Sequence, residues 1–182
     1  MTTPKIILTG AVLAAVALPG SAVASEPAAT PSASEQCKTL RTQMGAKPFG
    51  EAYGTNANRA NAFGKCVSKL ASAHSAAKTN AAQDCKAERA KDAAAFTAKY
   101  GTGKKGANAY GKCVSAKTKA AVTEAKAVQL TAAKACKAER AKDAAAFAKK
   151  YGTNANKSNA FGKCVSAKAM AKPAAPAAPA AA

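Results

Sequence analysis

The sequence predicts an all-α protein of three disulfide-stapled helical hairpin repeats, joined by long Ala/Lys-rich helices and flanked by disordered ends. Three observations predict this fold: a unit that occurs three times, six regularly spaced cysteines, and a very high alanine content. Alanine makes up 54 of the 182 residues and has the highest helix propensity of any residue. The predicted repeats are residues 35–71 (unit 1), 84–118 (unit 2) and 135–171 (unit 3).

The similarity of the units bears on how they pack. Units 2 and 3 share 25 of 33 residues when 85–117 is aligned with 136–168, and their matching cysteines lie 51 residues apart. Unit 1 is more divergent in its first half, with matching cysteines 47 or 48 residues from those of unit 2. Repeat periods of about 50 residues are typical of arrays in which each unit packs on its neighbours. We therefore expect consecutive units to pack against each other.

The beginning of the chain has the pattern of a secretory signal peptide. Lys5 precedes an apolar run over 6–18, and Ala22-Val-Ala24 forms a cleavage motif. The run is shorter than the ~20 apolar residues that span a bilayer, although an uncleaved anchor is the alternative. We predict a signal peptide over 1–24, no transmembrane segment after its cleavage, a flexible linker over 25–34, and a secreted or cell-envelope location.

An even number of cysteines in an exported chain indicates disulfides. Six cysteines allow fifteen pairings, but the spacing within each unit is nearly constant at 29, 28 and 28 residues, whereas the gaps between units are 19 and 23. A bond that belongs to the unit should follow the constant spacing. This predicts the pairs Cys37–Cys66, Cys85–Cys113 and Cys136–Cys164.

These pairs require a bend within each unit. Straight antiparallel helices would hold the two Cα atoms more than ~7 Å apart, which is too far for a disulfide. Gly45 in unit 1, and the N-cap residues Asp92 and Asp143 in units 2 and 3, are the predicted bend positions. An uninterrupted helix is the alternative for units 2 and 3.

The aromatic residues all lie in the units and are predicted to form most of a small core. Each unit has a Phe and a Tyr four residues apart, on one helical face. A glycine at a helix C-cap position follows the Tyr, and Thr-Asn-Ala-Asn in units 1 and 3 supplies turn and N-cap chemistry for the next helix. Stacking on bases or sugars is the alternative role. The predicted core aromatic residues are Phe49, Tyr53, Phe63, Phe96, Tyr100, Tyr110, Phe147, Tyr151 and Phe161.

Two further stretches complete the chain. Residues 112–142 lack glycine and proline and predict one long Ala/Lys helix between units 2 and 3. Residues 172–182 carry proline at every third position, which favours extended polyproline II. This tail is predicted to be disordered; it could span an envelope layer or be a frayed end.

Four patterns that could indicate chemistry are better explained by structure. Gly101-Thr-Gly-Lys-Lys-Gly106 matches a dinucleotide-binding pattern but follows a helix instead of a strand, so we interpret it as a turn. The only histidine, His74, is interpreted as a solvated helix residue. At least 18 residues lie between consecutive cysteines, which is unlike the close spacing of ligands in zinc sites. The carboxylate pairs Glu88/Asp92 and Glu139/Asp143 are interpreted as ion pairs with neighbouring Arg and Lys and as helix caps. We predict no catalytic residue, cofactor, metal or specific small molecule, and no enzyme activity.

The repeated string Phe-x3-Tyr-Gly-Thr-Asn-x-Asn, followed by Asn-Ala-Phe-Gly-Lys-Cys-Val-Ser, resembles a unit found in uncharacterised exported proteins of high-GC Gram-positive bacteria. Unit 2 departs from it, with Gly103-Lys-Lys-Gly106 in the turn. The resemblance implies export and repetition, and it implies no activity, ligand or catalytic residue.

The functional prediction depends on the net charge of the chain. The chain has 28 basic and 9 acidic residues, a net charge of +19. Such an excess favours polyanionic partners, although it also simply maintains solubility. The sequence therefore predicts an exported cationic protein whose Lys and Arg bind anionic polymers of the cell envelope or surroundings without sequence specificity. A structural or spacer protein without a specific ligand, and a non-specific nucleic-acid binder, are the alternatives.

Overall fold

The computed structural model describes residues 29–102 and 104–171, in which helices are joined by short loops. The predicted signal peptide, the first part of the linker and the Pro/Ala-rich tail lie outside them. The described residues form seven α-helices and one 3-10 helix and contain no strand. The α-helices are α1 (Ala33–Met44), α2 (Ala46–Tyr53), α3 (Ala62–Lys91), α4 (Ala93–Tyr100), α5 (Ala109–Lys142), α6 (Ala144–Tyr151) and α7 (Ala160–Ala171), and the 3-10 helix is Lys104–Gly106.

Helix α1 begins earlier than the predicted end of the linker. Ser32 is its N-cap: the Ser32 hydroxyl accepts from the backbone N–H of Glu35, and the Glu35 carboxylate accepts from the backbone N–H of Ser32. This reciprocal capping box satisfies donors that the first helical turn leaves unpaired. Residues 33 and 34, which the sequence assigned to the linker, therefore belong to the helix.

Each unit bends at the residue that the sequence singled out. In units 2 and 3, Asp92 and Asp143 have extended backbone, and their carboxylates accept from the backbone N–H of Ala95 and Ala146 at 2.8 and 2.9 Å. In unit 1, Gly45 has φ +88°, a value that side chains rarely adopt. The bends separate α1, α3 and α5 from the eight-residue helices α2, α4 and α6, respectively.

One disulfide joins the two arms of each unit. The bonds are Cys37–Cys66, Cys85–Cys113 and Cys136–Cys164, with Cα–Cα distances of 6.0, 6.1 and 6.0 Å. They are the pairs expected from the constant spacing within the units. All six cysteines are fully buried, so each bond is also the centre of its unit's core.

The units do not pack in sequence order, and the expectation that each packs on its neighbour is wrong. Units 1 and 3 share one apolar cluster, which includes Leu40, Leu70, Phe147 and Phe161. Unit 2 forms a separate small cluster of Cys85, Phe96, Ala109 and Cys113. The reason is that α3 and α5 pack on each other as long antiparallel helices, with unit 2 at the turn between them. The antiparallel course of α3 and α5 thereby places unit 3 next to unit 1.

The glycine after each Tyr ends a helix, but for a different reason from the one predicted. Gly54, Gly101 and Gly152 have φ between −73° and −75°, which is extended and not left-handed. A Cβ on Gly54 would lie 2.7 Å from the Gly50 carbonyl oxygen and 2.9 Å from the Arg59 Cα. Close approach of the loop therefore excludes a side chain here. A residue with positive φ lies five positions later in each unit, at Arg59, Gly106 and Lys157, and in unit 2 Lys105 has positive φ as well.

A Thr–Asn pair closes each of these loops. In unit 1, the Thr55 backbone N–H donates to Asn61 Oδ1 at 3.0 Å, and Asn61 Nδ2 donates to Thr55 Oγ1 at 2.7 Å. The pairs Thr102/Asn108 and Thr153/Asn159 make the same two bonds. The asparagine that precedes α3 or α5 therefore closes the loop and makes no side-chain cap bond to its helix.

The interface between units 1 and 3 predicts opposite effects of one substitution at two equivalent positions. A Cβ on Gly162 of α7 would lie 2.9 Å from the Glu51 carbonyl oxygen, whereas one on Gly111 of α5 would meet no atom within 4 Å. We expect Gly162→Ala to destabilise the fold by about 1–3 kcal/mol through overpacking. Gly111→Ala should be neutral or stabilise by up to about 1 kcal/mol, because alanine favours helix. Thermal unfolding followed by circular dichroism measures both, and equal melting temperatures would contradict the described interface.

Candidate functional site

The acidic side chains of the described chain are mostly engaged in contacts that hold the fold. Glu35, Asp92 and Asp143 cap helices, as described above. The carboxylates of Glu51, Glu88 and Glu139 form ion pairs, and Glu124 also has an interaction partner. The basic residues, which are about three times as numerous, therefore determine the charge that the protein presents to solvent.

Units 2 and 3 each contain the same carboxylate-centred cluster. Glu88 lies 2.8 Å from Lys99 Nζ and 3.2 Å from Lys117 Nζ, and it accepts a hydrogen bond from the Tyr100 hydroxyl. In unit 3, Glu139 makes the equivalent contacts with Lys150 at 2.8 Å, Lys168 at 3.0 Å and the Tyr151 hydroxyl. Each cluster ties the long helix before the bend to the short helix and to the helix after the loop.

These clusters shift the pKa values of their members in the direction that favours ionised carboxylates. The hydrogen bond from Lys150, followed by that from Lys168, lowers the pKa of Glu139 from 4.5 to about 2. The hydrogen bond from Lys99 is the largest cause of the lowered pKa of Glu88. In turn, the carboxylates raise the pKa values of Lys99, Lys150 and Lys168. A carboxylate held ionised in this way cannot serve as a general acid near neutral pH.

The carboxylate pairs proposed as ion pairs and caps have those roles, with different partners. Asp92 and Asp143 are the caps. Glu88 and Glu139 pair with lysines of other helices and not with the Arg and Lys beside them in sequence. Sequence neighbours were misleading because the bend places α4 and α6 against the preceding long helix.

Many basic side chains lie exposed outside these ion pairs. They extend over every unit and along both long helices, so the chain carries positive charge on several surfaces and not on a single patch. The exposed residues for which no ion pair within 4 Å is found in the described part of the chain are Lys38, Arg41, Lys47, Lys65, Lys69, Lys78, Lys86, Arg89, Lys91, Lys105, Lys134, Lys137, Lys142, Lys149, Lys157 and Lys163.

The nine aromatic residues lie in or against the two apolar clusters. Phe49, Tyr53, Phe96, Phe147 and Phe161 are buried, and Phe63, Tyr100, Tyr110 and Tyr151 are half-buried and pack on the clusters. The Phe and Tyr that are four residues apart contact each other in every unit, with ring centroids 4.9–5.0 Å apart. Their rings therefore fill the core and do not form an exposed row for stacking.

His74 is placed differently from the prediction. It is half-buried, and its Nε2 atom is buried without a hydrogen-bond partner among the described residues. The reason is that His74 lies on the part of α3 that faces α5 and the start of α1, where it lines a cavity of about 360 Å³ with Thr118 and Pro31. Interpreting it as a solvated helix residue was wrong.

The remaining motifs of the sequence lie in a turn and in the disulfides. The dinucleotide-like glycine pattern lies in a turn that contains the 3-10 helix, with Gly103 outside the described residues. Within the described ranges, no three His, Cys, Asp or Glu side chains are placed to hold a metal ion. The cysteines are all in disulfides.

The sequence did not reveal an apolar cleft at the junction of units 1 and 3. It has a volume of about 370 Å³, and alanine and valine make up six of its twelve lining residues, with the highly exposed Met170 at its edge. Tyr53 lies in this cleft, where its hydroxyl donates to Gln129 Oε1. Burial raises the pKa of Tyr53 to about 12. The phenol therefore stays protonated and remains a donor at physiological pH.

Comparisons with protein-family models, with curated proteins and with solved structures find no match for this chain. Of the helices that the structure describes, none has both the length and the apolar character needed to cross a bilayer. Function must therefore be inferred from the chain's own geometry and charge.

The Glu139 cluster predicts a pH dependence of stability. A carboxylate whose pKa is lower in the folded state stabilises the fold above its unfolded pKa and loses this contribution as the pH falls through the folded value. We expect Glu139→Gln to lower the melting temperature at pH 7, with the difference from wild type disappearing between about pH 5 and pH 2.

Asp84→Asn is the matched control for this experiment, because Asp84 is exposed and forms no ion pair within 4 Å among the described residues. Its melting temperature should follow wild type at every pH. A Glu139→Gln variant that also follows wild type would contradict the described cluster.

Proposed function

We propose that this protein binds anionic polymers through its exposed Lys and Arg side chains, without recognising a particular sequence or monomer. The observation that carries the proposal is the engagement of the carboxylates in caps and ion pairs, while sixteen described basic side chains lie exposed outside ion pairs. A polyanion would meet little competing negative charge on this surface.

The disulfide-linked helices would hold these basic groups in a defined arrangement. Rigid helices carry exposed Lys and Arg at fixed distances, so a flexible polymer can contact several of them at once. Each contact releases counterions from the polymer, which supplies a favourable free energy that falls as salt concentration rises. The proposed role is binding without catalysis.

The cellular setting follows in part from the disulfides. Three disulfides indicate an oxidising environment, and within such an environment the proposed partners are anionic polymers of the cell wall or of the surroundings. Export by cleavage after Ala24 belongs to the same proposal. Retention on isolated cell wall, compared with an anionic resin at physiological salt, distinguishes a wall ligand from general cation exchange.

Salt dependence is the quantitative prediction. If ~6–10 charges engage a polyanion, affinity should fall by orders of magnitude between about 50 and 200 mM salt. Titration of the oxidised protein with sodium polyphosphate at several salt concentrations measures this slope. An affinity that does not change with salt would contradict binding by exposed charges and would indicate a shaped pocket.

Two charge-matched variants locate the contacts. The first variant replaces four exposed lysines with glutamine: Lys86, Lys134, Lys137 and Lys149. The second replaces four ion-paired lysines with glutamine: Lys99, Lys117, Lys150 and Lys168. Both remove four positive charges. We expect the first to reduce the salt slope by up to ~0.7–0.9 for each lysine that pairs with a phosphate in the wild type. The second should reduce it less, because those lysines face carboxylates. The reverse order would contradict the proposal.

A further inference from the structure

Units 2 and 3 each have an arginine, an aromatic residue and a glycine at equivalent positions on one surface, which we name the Arg–aromatic–glycine face. In each unit the arginine lies four residues after the first cysteine, and the aromatic residue and glycine lie three and two residues before the second. The face consists of Arg89, Tyr110 and Gly111 in unit 2, and of Arg140, Phe161 and Gly162 in unit 3.

In unit 3 this face is covered by helix α2 of unit 1. Arg140 lies over the Phe161 ring, with its Cζ atom 4.8 Å from the ring centroid, and its Nη1 donates to Glu51 Oε2 at 2.6 Å. The backbone of α2 packs directly on Gly162, where a Cβ would lie 2.9 and 3.3 Å from the carbonyl oxygens of Glu51 and Ala52. Unit 3 therefore shows what the face accepts: a carboxylate on the arginine and a closely approaching backbone on the glycine.

In unit 2 the same face has no such cover among the described residues. Arg89 lies over the Tyr110 ring at 5.2 Å, as Arg140 lies over Phe161, but it is exposed and has no carboxylate within 4 Å in the described part of the chain. A Cβ at Gly111 would meet nothing within 4 Å. Gly111 and Ser115 line a groove of about 510 Å³ beside this face, and Ala29 and Thr30, at the start of the described chain, form part of its wall. Arg89 and Tyr110 do not line this groove. Ser115 corresponds to Ser166 of unit 3, which lines the apolar cleft together with Ala52 of α2.

We propose that the face of unit 2 binds an acidic peptide segment of a partner protein, in the way that unit 3 binds Glu51 and Ala52. A guanidinium stacked on an aromatic ring is held in place to take a carboxylate through two N–H groups. The glycine has no Cβ and therefore leaves room for a peptide backbone to approach the helix closely. A second copy of this chain is a less suitable occupant, because its own Glu51–Ala52 segment is already seated on its unit 3.

Unit 1 is outside the proposal. Arg41 and Phe63 occupy the equivalent positions and line one groove. Among the described residues of unit 1, however, Arg41 is not found stacked over the Phe63 ring as Arg89 and Arg140 are over theirs. Gly64, the equivalent of Gly111, is also open and therefore supplies a matched control position.

The test is an NMR titration of the oxidised protein with the peptide acetyl-Ala-Gly-Glu-Ala-Ala-amide, whose central three residues repeat those at 50–52. We expect saturable shifts of the Gly111 amide and the Arg89 Nε–H at millimolar peptide, with Gly162 and Arg140 unmoved because their face is filled. The same peptide with glutamine in place of glutamate should produce no saturable shift. Equal responses to the two peptides, or shifts spread over the lysine-bearing helices instead, would overturn the proposal.

Three variants separate this docking from binding by net charge. Arg89→Lys keeps the charge but removes the forked donor, and Gly111→Ala fills the space beside the helix without touching any described atom. Each should lower the affinity for the peptide about tenfold, equivalent to about 1.4 kcal/mol, whereas Gly64→Ala should bind the peptide with wild-type affinity. Polyphosphate binding should be unchanged in Gly111→Ala and Gly64→Ala, neither of which alters a basic residue, so failure of either activity can be recognised without the other. Wild-type peptide affinity in Arg89→Lys and Gly111→Ala would overturn the proposal.

Discussion

The disulfide across each unit is the constraint on which the rest of the structure depends. It joins a residue of the helix before the bend to a residue of the helix after the loop, with the two Cα atoms about 6 Å apart. The eight-residue helix between them is too short to be stable alone in water. Closing a loop of 28 or 29 residues contributes roughly 3–4 kcal/mol in the chain-entropy estimate. Unit 2 depends most on this term, because its separate core contains only four buried residues.

This way of stabilising the fold explains the composition of the surface. The two disulfide-centred clusters need few large apolar side chains, so the long helices α3 and α5 consist largely of alanine and lysine. Carboxylates are kept where they cap a helix or tie helices together, as Asp143 and Glu139 do. The remaining positive charge is displayed on rigid helices, which connects the stapled fold to the proposed binding of polyanions.

Local sequence features predicted much of the units but not how the units meet. Helix-forming composition, the breakers at the bends and the constant cysteine spacing are all local, and the helices, bends and disulfides of the structure agree with them. The pairing of unit 1 with unit 3 is different, because it depends on Glu51 meeting Arg140 and on α2 meeting Gly162, contacts that join residues 89 or more positions apart. A repeat pattern cannot reveal such contacts, since Gly64, Gly111 and Gly162 look alike in sequence. The position of His74 was missed for the same reason, as its burial depends on α1 and α5.

Native-state hydrogen exchange of the oxidised protein, compared with the reduced and alkylated protein, tests the dependence on disulfides most directly. In the oxidised protein, the amides of α2, α4 and α6 should be protected together with those of the long helices. After reduction, these three short helices should exchange at rates close to those of an unfolded chain, because the ion pairs and small apolar clusters that remain do not replace the contribution of the closed loops. Unchanged protection of α4 in the reduced protein would contradict this account, since unit 2 has the smallest core to replace its disulfide.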